Sequence, residues 1–325
     1  MVTGAMGGVG AAVEPDLTLG AYLGQWLAHA RGRVRAKTLD GYEALVRIHA
    51  TPMLGEIALS ALRPLDLQRA YAQLLGPEHG LSAGSVLNLH LVLTQALGQA
   101  QRWGMIATNP AHGAQPPRPR RAEPAVVDRA LAARLLQVTE GTRFELPVAL
   151  AISTGMRRGE ILGLRWADLG ADLSVAHVNR SLQVVAGALV FEEPKTRRSR
   201  RAVALPAFVG PYLERQRLAQ RGRRAEAPAW SDLDVVYDRG DGRPVNPGTL
   251  SAGWHGFCRK SGLPHVRFHD LRHAHATLML LQGVHPKVVS ERLGHASVGI
   301  TLDTYSHVLP SMQSEAVQAF DELFA

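Results

Sequence analysis

The sequence predicts a mainly α-helical protein with a small antiparallel β-sheet, organised as an all-α domain followed by a mixed α/β domain. Three features predict this. Apolar residues recur at three- and four-residue intervals from Leu17 to about Trp103, a stretch rich in Pro and Arg then breaks the pattern, and around residues 172 to 205 the composition turns to that of strands and turns. At 325 residues the chain is long enough for two cores, on a prior of about 150 residues per domain.

Residues 1–15, "MVTGAMGGVGAAVEP", are Gly- and Ala-rich without a basic n-region, and read as a flexible tail instead of a secretory signal. Over 16–108 four helices are expected, in "LGAYLGQWLAHA", "LDGYEALVRIHA", "PLDLQRAYAQLL" and "SVLNLHLVLTQALGQAQRW". "TPMLG" and "LGPEHGLS" punctuate them, and Ser82 is placed to cap the last. Residues 109–125, "NPAHGAQPPRPRRAEPA", hold five prolines and three arginines and predict an extended, semi-rigid linker, with Arg118, Arg120 and Arg121 able to ride along a phosphate backbone.

The second domain, 126–325, opens with helical patterns in "VDRALAARLLQVTE" and "FELPVALAISTGM". Strands follow in "LSVAHVNRSLQVVAGALVFEEP" and "RRAVALP", where Val and Leu alternate with Gly breaks. Helices resume in "HDLRHAHATLMLLQ", "HPKVVSERLGH" and "SVGITLDTYSHVL", and a helix over 311–325 ends the chain with a stripe of Met312, Val317, Phe320 and Phe324.

The formal charge of +8 and a pI near 10.1 favour a polyanionic partner, nucleic acid above all. Of 36 basic residues only Lys37, Lys195, Lys260 and Lys287 are lysines, and guanidinium groups suit bidentate phosphate contacts. With 46% hydrophobic and 20% charged residues the chain is neither disordered nor collagenous, and it has no apolar run long enough to span a membrane; a cytoplasmic protein is expected. Cys258 stands alone, which excludes intramolecular disulfides and cysteine-built zinc sites.

Five places carry the chemistry. "ISTGMRRGEILGLRW" sets Arg157 at a helix start after a Gly turn, with Glu160 three residues on, where its carboxylate can orient the guanidinium. "EEPKTRRSRRAVAL" puts Lys195 at the head of a run with Arg197, Arg198, Arg200 and Arg201, at an expected hairpin suited to backbone phosphates. In "RFHDLRHAHA", His269 and His273 have the spacing with which two imidazoles share a metal. Yet Asp270 stands where a metalloprotease has Glu, and Arg272 on the same face would set a fixed cation beside a dication, so an anion suits this face better. Leu271, Ala274, Leu278 and Leu281 are assigned to its buried side. "ERLGHAS" adds His295 after a Gly294 helix cap, and "TLDTYSHV" adds Tyr305 ten residues later.

This ordered set, TGxRxxE, a lone Lys, HxxR, LGH and a Tyr followed by Ser-His, resembles the tyrosine recombinases, the phage integrase family, over nearly the whole chain. The segment Leu17 to about Pro110 is similar to that family's core-binding domain. The resemblance implies Tyr305 as nucleophile, Arg157 and Arg272 as phosphate clamps, Lys195 as the acid for the leaving oxygen, and His269 and His295 completing the pocket, with Glu160 in support. His273 and His275 match no catalytic position of the family and are read as structural.

The same resemblance implies site-specific strand exchange on double-stranded DNA through a covalent 3'-phosphotyrosine, with no metal, ATP or other cofactor. It implies a homo-tetramer on synapsed sites, coupled through the last helix, and allows accessory DNA-bending or directionality factors. Where many phage integrases carry an arm-binding domain, only about sixteen loosely composed residues precede the first helix here, so either the enzyme works without arm binding or the sequence is truncated, and a simple recombinase is the expected reading. A type IB topoisomerase would instead relax supercoils without strand exchange, a DNA-binding regulator of the same fold would form no covalent adduct, and a zinc hydrolase built on His269 and His273 would be inhibited by chelators.

Overall fold

The computed structural model describes residues 17–119, 127–193 and 200–305, together with 317, 320–322 and 324; for Tyr305 only the backbone is described. The chain divides into two compact units, Met1–Ala122 and Glu123–Ala325.

The first unit is all helical. Helix α1 (Leu19–Ala30) starts at Thr18, whose hydroxyl accepts from the N–H of Ala21, and buries Leu19, Tyr22, Leu23 and Trp26 along one face. Helix α2 (Ala36–Leu45) runs through a π-helical turn, Val46–Ala50, into α3 (Thr51–Leu54). "TPML", expected as punctuation, is therefore helical. Pro52 sits where the π-helical turn passes into α3, the kind of irregularity that accommodates a proline within a helical run. Helix α4 (Pro64–Leu75) and the long α5 (Ala83–Arg102) complete the bundle, and the Ser82 hydroxyl caps α5 by accepting from the N–H of Ser85 at 3.1 Å.

The early part of the stretch expected as linker belongs to this unit. Pro110–Gly113 forms a 3-10 turn, Ala111 and Ala114 join the core, and the Asn109 amide donates to the carbonyl of Thr94 at 3.0 Å. Burial of small side chains thus overrides the extended tendency of the prolines at this end.

In the second unit, α6 (Arg129–Thr139) is capped by Asp128, and α7 (Glu145–Thr154) is buried over nearly its whole surface. Helix α8 (Arg158–Gly163) follows a tight turn. The strands form two two-stranded sheets among the described residues, where one small sheet was expected. Strand β1 (Val175–Val178) pairs antiparallel with β4 (Arg201–Ala204), and β2 (Ser181–Val185) with β3 (Ala188–Glu192). The β2–β3 hairpin turns on Ala186 and Gly187, both at positive φ, the geometry a two-residue turn requires to match strand twist. Strands β3 and β4 lie in different sheets, and the Lys195 segment, expected as a hairpin, lies outside the described residues. Val203 on β4 is fully buried, as are Ala176 and Val178 opposite, and this burial selects β1 as the partner.

Helices α9 (Gly210–Glu226) and α10 (Pro247–Lys260) were not indicated by apolar periodicity, for a physical reason. The first buries only Leu213 and Gln220 and is otherwise polar and Arg-rich, and the second is interrupted by three glycines, so neither shows a broad apolar stripe. The core gathers Phe144, Trp254, Phe257 and Phe268, and the Trp254 indole donates to the carbonyl of Val266 at 2.8 Å. Helices α11 (Asp270–Leu281), α12 (Pro286–Leu293) and α13 (Val298–Tyr305) follow. On α11, Leu271 and Ala274 are buried as expected, but Leu281 is exposed and Leu280 takes the inward place, the helix meeting α12 through Ala276 and Leu280.

Candidate active site

The site begins at the turn after α7. Gly155 sits at φ +65, and a Cβ there would come within 2.6 Å of both His275 Cδ2 and Leu293 Cδ2, so only glycine satisfies backbone and packing together. The turn delivers Arg157 to the N-cap of α8. There its N–H donates to Glu160 Oε2 at 2.8 Å and its Nη1 to Oε1 at 2.9 Å, so the Glu160 carboxylate caps the helix start and takes both donors of Arg157.

Arg272 lies inside the first turn of α11 and is only 4% exposed. Its Nη1 donates to the Gly155 carbonyl at 2.6 Å and its Nη2 to the Leu293 carbonyl at 2.7 Å. Arg157 Nη2 reaches the neighbouring Gly294 carbonyl at 3.5 Å. Two guanidiniums thus stitch the turn after α7 to the turn after α12. Gly294 ends α12 in the left-handed region, and the next residue, His295, donates its N–H to the Ser290 carbonyl at 3.0 Å. Its Nδ1 pairs with Thr301 Oγ1 of α13 at 2.8 Å, and His269 stands at the N-cap of α11.

Desolvation first, and then the charges of Arg272, Arg157 and Arg201, push the His295 imidazole down to about 4. His269 is pushed down to about 4 by desolvation, then by His273 and Arg272. Since His269 keeps solvent contact, screening weakens its shift more than that of His295. Both rings are neutral at neutral pH, so they offer hydrogen bonds while the arginines supply the charge. Burial would raise the Glu160 carboxyl, but the hydrogen bonds and charge of Arg201, and then Arg157, hold it below its ordinary value.

A cleft of about 560 Å³ opens beside Arg157 and His269, lined also by Arg158, Ser181, Trp254 and His265. The rings of His269 and His273 are 5.0 Å apart and nearly perpendicular, and Asp270 is held by Arg267. Among the described residues no group of three or more His, Cys, Asp or Glu is placed to hold a metal ion.

His275 is buried behind the site. Its Nδ1–H donates to the Ile152 carbonyl at 2.9 Å and its Nε2 faces Arg292 Nε at 3.5 Å, so a second proton would oppose a cation. Desolvation and the charges of Arg292 and Arg272 push it down to about 4, against the lift from the Ile152 carbonyl. The unfolded chain therefore binds more protons than the folded one between pH ~6.5 and ~4, and stability is lost as pH falls through that window. The thermal midpoint is expected to fall between pH 7 and pH 5 in scanning calorimetry, with a shallower fall in His275→Gln, whose amide can still donate to Ile152.

The structure thus brings together Arg157, Glu160, His269, Arg272 and His295. Tyr305 ends α13, the helix whose Thr301 bonds His295. Lys195, Arg197, Arg198, Arg120, Arg121 and Met312 lie outside the described residues. Arg118 is exposed, and Arg200 is exposed and paired with Glu193.

Arg201 requires a correction. Read from the sequence as a phosphate contact at the surface, it is buried to 6% side-chain exposure and donates Nη2 to Glu160 Oε2 at 2.8 Å and Nη1 to Oε1 at 3.2 Å. The signal was its place two residues before buried Val203, on the same face of β4. The sequence reading also missed Arg292, which donates to the carbonyls of Ser153 and Ala204 at 3.2 and 3.1 Å.

Residues 125–312 match the phage integrase family, and residues 18–75 match the phage integrase N-terminal SAM-like domain. The chain is 28% identical over 331 aligned residues to a tyrosine recombinase XerC-like protein of Caldanaerobacter subterraneus, covering 95% of this chain and 84% of that protein. It is 33% identical over 180 residues to the ICEBs1 integrase of Bacillus subtilis, covering 55% of this chain and 49% of that one. Among solved structures it is similar to the Tn1549 transposon integrase in complex with a circular intermediate DNA, at TM-score 0.79 and 21% identity, covering 93% of this chain and 99% of that one. It is also similar to a lambda integrase tetramer bound to a Holliday junction, at TM-score 0.66 and 18% identity, covering 88% of this chain and 80% of that one.

Proposed function

The chain belongs to the phage integrase family of tyrosine recombinases, which cleave and rejoin DNA at specific sites, and we propose that it does so with Tyr305 as nucleophile and with Arg157, Arg272, His269 and His295 cradling the attacked phosphate. The observation that carries this assignment is the stitching of the turns around Gly155 and Gly294 by two arginines, beside two imidazoles kept neutral.

A tyrosine hydroxyl of pKa about 10 is ionised in about one molecule in a thousand at neutral pH, so the attack needs stabilisation elsewhere. As the Tyr305 oxygen bonds to phosphorus, its proton passes to a neutral imidazole of the pocket, and charge grows on the non-bridging oxygens. Two guanidiniums held in place by backbone carbonyls stabilise that charge without reorganising. Lys195 gives a proton to the departing 5'-oxygen, and a 3'-phosphotyrosine remains. A 5'-hydroxyl from another strand then attacks the phosphorus and gives its proton to Lys195, the tyrosine leaves and takes its proton back from the imidazole, and a phosphodiester is restored without ATP.

Double-stranded DNA is the substrate, and the synaptic assembly is a homo-tetramer. Exposed Val317, Phe320 and Phe324 support a contact of the C-terminal segment with a neighbouring subunit. No helix among the described residues is long and apolar enough to cross a membrane, and the enzyme works where its DNA lies, in the cytoplasm. With nicked duplexes drawn from its native genetic neighbourhood and a chelator present, a denaturing gel is expected to show protein joined covalently to DNA. Binding without any adduct would move the DNA-binding regulator to the front, and relaxation of supercoils without strand exchange would favour a topoisomerase.

A further inference from the structure

We infer that Arg201 is a positioning residue for strand cleavage: it neutralises Glu160 so that the charge of Arg157 remains available to the phosphate, and it holds the Arg157 and His295 turns at a set distance. The inference rests on the phosphate-cradle reading above and goes beyond it, because the Arg201 side chain is 6% exposed and bonds Glu160 and the Arg292 carbonyl.

The geometry is that of a carboxylate with every acceptor position filled. Glu160 takes the backbone N–H and Nη1 of Arg157 on one side and the two terminal nitrogens of Arg201 on the other. A carboxylate facing Arg157 alone would pair with it as a single ion pair and cancel most of its charge. With Arg201 sharing that carboxylate, the three groups carry a net positive charge beside the cleft. Arg157, with 42% of its side chain exposed, is the member of the three that solvent and substrate can reach, since Glu160 and Arg201 are each 6% exposed.

Arg201 also ties down the far turn. Its Nε donates to the Arg292 carbonyl at 2.5 Å, and its guanidinium lies against Gly294, where an added Cβ would meet Nη1 at 3.0 Å. Arg292 answers by donating to the carbonyl of Ala204, at the other end of the same strand. Strand β4, which follows the Lys195 segment, is therefore fastened at both ends to the end of α12, just before Gly294 and His295. One side chain thus sets Arg157 through Glu160 and His295 through the end of α12.

The test measures single-turnover adduct formation on a nicked duplex, DNA affinity and thermal midpoint for wild type, Arg201→Met, Arg201→Lys and the double variant Arg201→Met/Glu160→Gln. Arg201→Met is expected to cleave about 100-fold more slowly with DNA affinity within about threefold, because the loss falls on a charge used in the transition state. Adding Glu160→Gln removes the unbalanced carboxylate and is expected to recover at least tenfold of that rate. Arg201→Lys keeps a charge on Glu160 but cannot span to Arg292 as well, and is expected to lose about tenfold in rate at unchanged affinity. If Arg201→Met does not fold, Arg201→Lys decides. Wild-type rates in both single variants, or a loss in Arg201→Met that Glu160→Gln does not relieve, would overturn the inference. Failure of the wild type itself to form adduct would instead overturn the recombinase assignment of the site.

Discussion

Tyr305→Phe is expected to bind DNA as the wild type does and to form no covalent adduct, a loss on the order of 10⁴-fold or more in cleavage. The substitution removes one oxygen and leaves the ring, so the proposed nucleophile is lost with little else. Tyr305 ends α13, and the same helix supplies Thr301, whose hydroxyl holds the His295 ring, so the proposed nucleophile and the pocket share one helix. The measurement is a denaturing gel of protein with end-labelled nicked duplex, alongside a binding assay on intact duplex. An adduct that persists in Tyr305→Phe would assign the attack to another residue.

Arg272→Ala is expected to lower the cleavage rate by about 100-fold or more, since removal of one preorganised donor to a developing oxyanion has that effect. Binding should change little, because one phosphate contact among many contributes modestly to affinity. The same substitution should also destabilise the second unit, since the carbonyls of Gly155 and Leu293 lose their donors, at about 1–3 kcal/mol for each buried group left unsatisfied. Arg272→Lys separates the two effects. A lysine supplies charge but not the planar fork that spans both carbonyls, so turnover should fall while the unit stays folded. Rate, affinity and thermal midpoint measured together check it. A wild-type rate in Arg272→Lys would show that the fork is not needed.

The residues of the site were legible where chemistry and short spacing coincide. Arg157 and Glu160, three apart at a helix start, form the cap their spacing predicts, and Ser82 and Gly294 act at helix ends as their residue types indicate. Arg201 was misread because a run of cations looks the same in sequence whether each member faces solvent or core. Its partner Glu160 lies 41 positions away, and only the pairing of β1 with β4 turns it inward. The polar helix α9 escaped notice because a helix that buries two residues leaves almost no periodic trace.

The sequence by itself determined the family resemblance, the helical character of both units and the local caps, because hydrogen-bond geometry couples residues three or four apart whatever the rest of the chain does. Tertiary structure alone decided which cations serve as scaffold. Arg272 reaches Gly155 across 117 positions, His275 reaches Ile152 across 123, and Arg201 donates to the Arg292 carbonyl while Arg292 donates to the carbonyl of Ala204. Such pairings arise only when packing excludes water and leaves each buried donor one carbonyl or carboxylate within reach, a choice that no short stretch of sequence encodes.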